Sequence, residues 1–121
     1  MQQSVIDNKN KAEYYFEEGC FITELSNSDQ DEAVSIARAR VEPGKVTVWH
    51  ALKETTERYV ILSGSGEVGI GVQTTTVTVA DVVIIPPDTA QRIACTSQSD
   101  LIFLAICTPP FSPDNYINLE G

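Results

Sequence analysis

The stretch Pro43-Gly44-Lys45-Val46-Thr47-Val48-Trp49-His50-Ala51-Leu52-Lys53-Glu54-Thr55-Thr56-Glu57-Arg58-Tyr59-Val60-Ile61-Leu62-Ser63-Gly64 decides how the chain is read. It opens at a Pro-Gly turn and closes at Gly64-Ser65-Gly66, whose composition reads as a hairpin turn. Val46 and Val48 alternate with Lys45 and Thr47, the period of a half-buried strand. Tyr59 to Leu62 is a short aromatic and largely β-branched run, which suits a pleated surface. Between these runs stands His50, the only histidine of the chain, with Glu57 seven positions on. An imidazole and a carboxylate on neighbouring strands can converge on one point inside a sheet-walled hollow.

Working outward, the same period recurs. Cys20 to Leu25 alternates, with Cys20, Ile22 and Glu24 on one face and Phe21, Thr23 and Leu25 on the other. Ala33 to Val41 is a further strand, with Ala37, Ala39 and Val41 opposite Ile36, Arg38 and Arg40. Downstream, Glu67 to Val72 and Thr75 to Val79 read as a hairpin around Gln73-Thr74. Val82 to Ile85, Gln91 to Cys95 and Leu101 to Cys107 complete the set. The prolines of Pro109-Pro110-Phe111-Ser112-Pro113 exclude regular helix and central strand, so the tail is expected to wrap an open end with Phe111 and Tyr116 as anchors. Many short strands and few helix signals predict an all-β jelly roll or closed barrel. Residues 1–19 are read as an N-terminal arm and 20–121 as the β-barrel domain carrying the tail.

Composition narrows the partners. At 121 residues the chain is one domain with room for a core without disulfides. A net charge of −9 and scattered basic residues argue against nucleic acid and anionic membranes, which demand clustered Lys and Arg. Cys20, Cys95 and Cys107 are odd in number and lack CxxC spacing, which favours reduced, buried thiols. Residues 1–20 are polar and the apolar runs are short, so the expectation is a cytoplasmic protein without a secretory leader or membrane span.

With the strands placed, the chain resembles a small single-domain cupin over residues 33–107. Gly44, His50, Glu57 and Gly64 keep the spacing of that family's first motif, with Leu52 where a second histidine stands. Its second motif survives at Pro86, with Ala80, Asp88, Gln91 and Cys95 at the other positions. The resemblance implies a double-stranded β-helix holding a divalent metal (zinc, nickel, iron or manganese) with His50, Glu57 and Gln91 as ligands, Glu54 being a further candidate. One imidazole, one carboxylate and one amide oxygen form a weaker donor set than the usual histidines.

Two further residues are candidates for catalysis. Tyr59 shares strand parity with Glu57, so its hydroxyl either orients a substrate or is a satisfied core group. Arg40 faces outward if Ala37, Ala39 and Val41 pack inside; in the opposite register, which the resemblance favours, it enters the cavity and can hold an anion. Trp49 is expected to point away from His50. The resemblance leaves two functions open: metal-dependent isomerase, cyclase, lyase or dioxygenase chemistry on a small organic molecule, or non-catalytic binding of an acid or sugar-like ligand. It also implies a homodimer, with Tyr14-Tyr15-Phe16 as the expected contact.

Overall fold

The computed structural model describes residues 2–121. Its strands are β1 (Tyr14–Phe16), β2 (Cys20–Ser26), β3 (Ser35–Val41), β4 (His50–Leu52), β5 (Thr56–Ser63), β6 (Ser65–Ile70), β7 (Gln73–Thr78), β8 (Val82–Ile85), β9 (Gln91–Cys95), β10 (Leu101–Thr108) and β11 (Tyr116–Asn118). One 3-10 turn, Pro113–Asn115, precedes β11. Six strands form one sheet in the order β1-β2-β3-β10-β5-β8, and five form the other in the order β11-β4-β9-β6-β7. The two antiparallel sheets face each other as a jelly-roll barrel. Alternation puts Val41, Ile61, Ile85, Ile93 and Leu101 between them, each at most 1% exposed.

The inward row of the six-stranded sheet explains why the barrel is hollow at one end. Ala105 on β10 lies opposite Ala37 on β3 and Tyr59 on β5, and Cys107 lies opposite Ser35 and Glu57. Small side chains on β3 and β10 leave space that the larger residues further along, Phe103 and Leu101, fill. This register turns Arg38 and Arg40 to the outer face. There Arg40 lies over the Phe21 ring and bonds Glu13 at 2.7 Å and Asp100 at 3.1 Å. The inward register for Arg40 is therefore corrected: alanines, not guanidinium groups, can pack between the sheets without an uncompensated charge.

Three other local readings change. Residues 45–49 form no regular strand, and their burial is inverted: Thr47 is 1% exposed and Val46 46%. Thr47 is held inside because its Oγ1 accepts the Ile93 amide at 3.0 Å, while its own amide donates to Ile93 O at 2.9 Å. Gly64 is no hairpin apex. β5 and β6 belong to different sheets, and Gly64, at φ +80°, is the corner between them; a Cβ there would lie 2.5 Å from Asp100 O. The β6–β7 hairpin turns at Gly71-Val72, two residues before the expected Gln73-Thr74.

The segment read as an arm contributes a strand. β1 pairs with β2 from Tyr14↔Ile22 to Phe16↔Cys20, so Glu17-Glu18-Gly19 is a tight connection at the barrel mouth. At the other terminus β11 pairs with β4, Asn118 opposite His50, and Phe111 and Tyr116 of the tail line the hollow end. Among the described residues no helix is long and apolar enough to cross a membrane.

Candidate active site

The hollow end is a cavity of about 80 Å³, room for roughly five to eight waters or a compact organic molecule. His50, Glu57, Glu18 and Tyr116 gather at it, with Tyr14, Glu24 and Phe111 also on its wall. β4 delivers His50, β5 delivers Glu57 and Tyr59, the β1–β2 connection delivers Glu18, and β11 delivers Tyr116.

His50 is 2% exposed and both ring nitrogens are engaged. Nδ1 lies 2.7 Å from Val48 O, and a carbonyl only accepts, so Nδ1 carries a proton. Nε2 lies 3.1 Å from Glu18 Oε1. With Nδ1 protonated, one shared proton joins Nε2 to the carboxyl, whichever of the two holds it. The Glu18 side chain is 12% exposed; burial raises its pKa, against which His50 and the Cys20 thiol pull. The ring of Tyr116 stacks on the imidazole, centroids 5.3 Å apart at 17°, and Phe16 meets Tyr116 edge-on. These contacts leave the imidazole a single orientation.

Glu57 is the second centre. Burial, and then the charge of Glu18, push its pKa up to about 8, opposed by the neighbouring Cys107 thiol and Gln91 amide. Its Oε2 lies 3.7 Å from Cys107 Sγ, while Oε1 is buried without a hydrogen-bond partner. A neutral carboxyl group facing a cavity with a free oxygen can give a proton to a bound molecule. Burial and the carboxylates also raise Tyr59, Cys20 and Cys107, so these remain protonated.

His50, Glu57 and Gln91 lie on adjoining strands, His50 directly opposite Gln91 in the β4–β9 pair. Their donors, however, do not fit a divalent ion. Gln91 Oε1 accepts the Tyr59 hydroxyl at 2.6 Å, His50 Nε2 is taken by Glu18, and Leu52 contributes no donor. Among the described residues no three His, Cys, Asp or Glu side chains are grouped to hold a metal. Glu54 is exposed in the β4–β5 turn at φ 57°, with its amide bonded to Asp88. The Tyr59 hydroxyl is the satisfied core group of the two alternatives, tied to Gln91, while its ring lines the cavity. Trp49 points away from His50 and packs on Gly69 beneath Arg92.

Sequence reasoning missed Glu18 and the stacking role of Tyr116. The signal for Glu18 was present: it extends the inward parity of Cys20, Ile22 and Glu24 by one step. Nothing local marks Tyr116 as a partner of His50, since the two are brought together only by β11 pairing with β4.

Residues 37–107, more than half of the chain, match the family model described as the cupin domain. No curated protein sequence matches the chain. Among solved structures, Pac13 of Streptomyces, described as a unique nucleoside dehydratase, superposes with a TM-score of 0.81 at 14% identity, over 98% of this chain and 92% of that one. Variants of that protein with a histidine changed to glutamine, or a tyrosine to phenylalanine, have been solved with uridine. KdgF from a Halomonas species has a TM-score of 0.79 at 14% identity, over 93% and 98% of the two chains. A predicted oxalate decarboxylase of Thermotoga maritima has a TM-score of 0.78 at 20% identity, over 88% and 99%.

Proposed function

The chain belongs to the cupin family, and we propose that it is a small-molecule enzyme of the lyase or isomerase class, working by general acid–base catalysis inside the barrel. The observation that carries this reading is the 3.1 Å contact of His50 Nε2 with Glu18, set beside the unpartnered Glu57 carboxyl in one cavity. Two titratable centres held in different environments are what proton abstraction and proton donation in one cycle require. With the shared proton on His50, the Glu18 carboxylate takes on its second oxygen a proton from carbon next to an electron-withdrawing group of the substrate. Glu57, protonated at neutral pH, gives its proton to a departing oxygen. One C–H and one C–O bond break, a C=C bond forms and water leaves. The likeness to a nucleoside dehydratase, with histidine and tyrosine variants bound to uridine, supports the elimination reading without identifying a substrate.

The test is turnover of a panel of small β-hydroxy carbonyl compounds, followed by mass spectrometry for loss of water. Elimination should survive a chelator and fall at least about a hundredfold in His50→Gln, the scale of a lost acid–base group. Activity lost to chelator and restored by a divalent ion would return the site to the metal reading. Tight binding of panel members without turnover would make the protein a binding module. We also propose that two copies pair through the β1 edge, where Tyr14 and Tyr15 are 46% and 63% exposed.

A further inference from the structure

Six aromatic side chains line the cavity: Tyr14, Phe16, Tyr59, Phe103, Phe111 and Tyr116. Three carboxyl groups, Glu18, Glu24 and Glu57, line it as well, and no lysine or arginine does. Arg38 and Arg40, the two arginines of β3, are spent on Glu13 and Asp100 outside the barrel. Among the described residues Glu24 and Glu57 have no salt-bridge partner. Glu24 accepts only the Tyr14 hydroxyl, at 3.2 Å.

Glu57 supplies the independent sign of a ligand. The residue is 8% exposed, lines the cavity, and has an Oε1 with no hydrogen-bond partner. A buried carboxyl oxygen without a partner is costly unless something bound satisfies it. An anion placed here would meet Glu24 and Glu57, while the one basic group on the wall, His50, is already engaged by Glu18 at 3.1 Å. A cation would meet the negative faces of the aromatic rings, and its charge would draw the proton from Glu57 and leave a carboxylate beside it, an arrangement suited to ammonium groups.

We propose that the cavity binds a small organic cation, a substituted ammonium seated among the aromatic rings with Glu57 as its counter-ion and Glu24 at the wall. This deepens the reading above by naming the ligand class; it shares that reading's cavity and not its chemistry. The substrate then carries its positive charge into the barrel, and anionic sugar acids or small dicarboxylates are excluded.

Isothermal titration with three probes of similar bulk tests this. Choline carries the charge, neohexyl alcohol replaces its nitrogen by carbon, and pivalate reverses the sign. Choline should bind at least about tenfold more tightly than neohexyl alcohol, and pivalate should not bind. Glu57→Gln should weaken choline about tenfold and leave neohexyl alcohol unchanged. If that variant fails to fold, Glu24→Gln should still weaken choline selectively. Equal binding of choline and its neutral isostere, tighter binding of pivalate, or no binding of choline would overturn the proposal. Dehydration of a neutral compound without choline binding would sink this inference alone. Choline binding in a protein that turns nothing over would sink only the lyase reading.

Discussion

Glu57 is a carboxyl group whose pKa rises from 4.5 to about 8 through burial and the neighbouring Glu18. Between those values the native state holds a proton that the unfolded chain has released. Stability therefore falls as pH rises through this window, by about 1.4 kcal/mol per pH unit for this one group, and is independent of it above about pH 8. Urea melts from pH 5 to 9 should show that decline, and Glu57→Gln should flatten it while being the more stable protein at the alkaline end. An unchanged slope in the variant would remove Glu57 as its origin. Tyr116 makes a second prediction, because its ring stacks on His50 while its buried hydroxyl lies beside Glu18. Tyr116→Phe should keep the stack and lose about 1 kcal/mol by removing the hydroxyl that Glu18 faces. A gain of stability in a urea melt would mean that the hydroxyl is unpaired.

At the scale of elements, the sheet-to-sheet corner and the terminal strands matter most. Gly64→Ala would force an L side chain to φ +80° and place its Cβ 2.5 Å from Asp100 O. A loss of about 1–3 kcal/mol is expected from overcrowding, with a further cost from the backbone angle. A thermal or urea melt matching the parent protein would refute the corner's rigidity. β1 and β11 are three-residue strands from opposite ends of the chain, yet they bring Glu18 and Tyr116 to His50. Removing the chain from Ser112 onward should leave the core sheets folded by circular dichroism. It should also abolish ligand binding, since β11 covers the strand that carries His50. Alternation made β2, β3, β8, β9 and β10 legible, because each has one face in the core and one outside. The 45–49 segment misled for a specific reason: Thr47 is buried by two hydrogen bonds to Ile93, which an apolar-inside rule does not weigh.

For the whole molecule, the acidic balance of the chain is repeated inside the barrel, where three carboxyl groups line the cavity with His50 and without a lysine or arginine. A pairing of two copies through β1 predicts a dimer by sedimentation, converted to monomer by Tyr15→Lys at that edge. Ile84→Lys on the opposite edge strand, where Ile84 is 65% exposed, should leave the dimer intact. The reverse pattern would move the contact to β8.

Strand period and the spacing from Gly44 to Gly64 by themselves determined an all-β barrel, its family and the inward placement of His50 and Glu57. These are local properties: alternation selects a face, and fixed spacing selects a position along it. What surrounds the imidazole was decided only by the tertiary structure. Glu18 and Tyr116 reach His50 from the two ends of the chain, Gln91 gives its oxygen to Tyr59, and Arg40 is turned outward by the pairing of β3 with β10. Each depends on which strands lie side by side, and hydrogen-bond partners between distant segments leave no periodic trace in either segment alone.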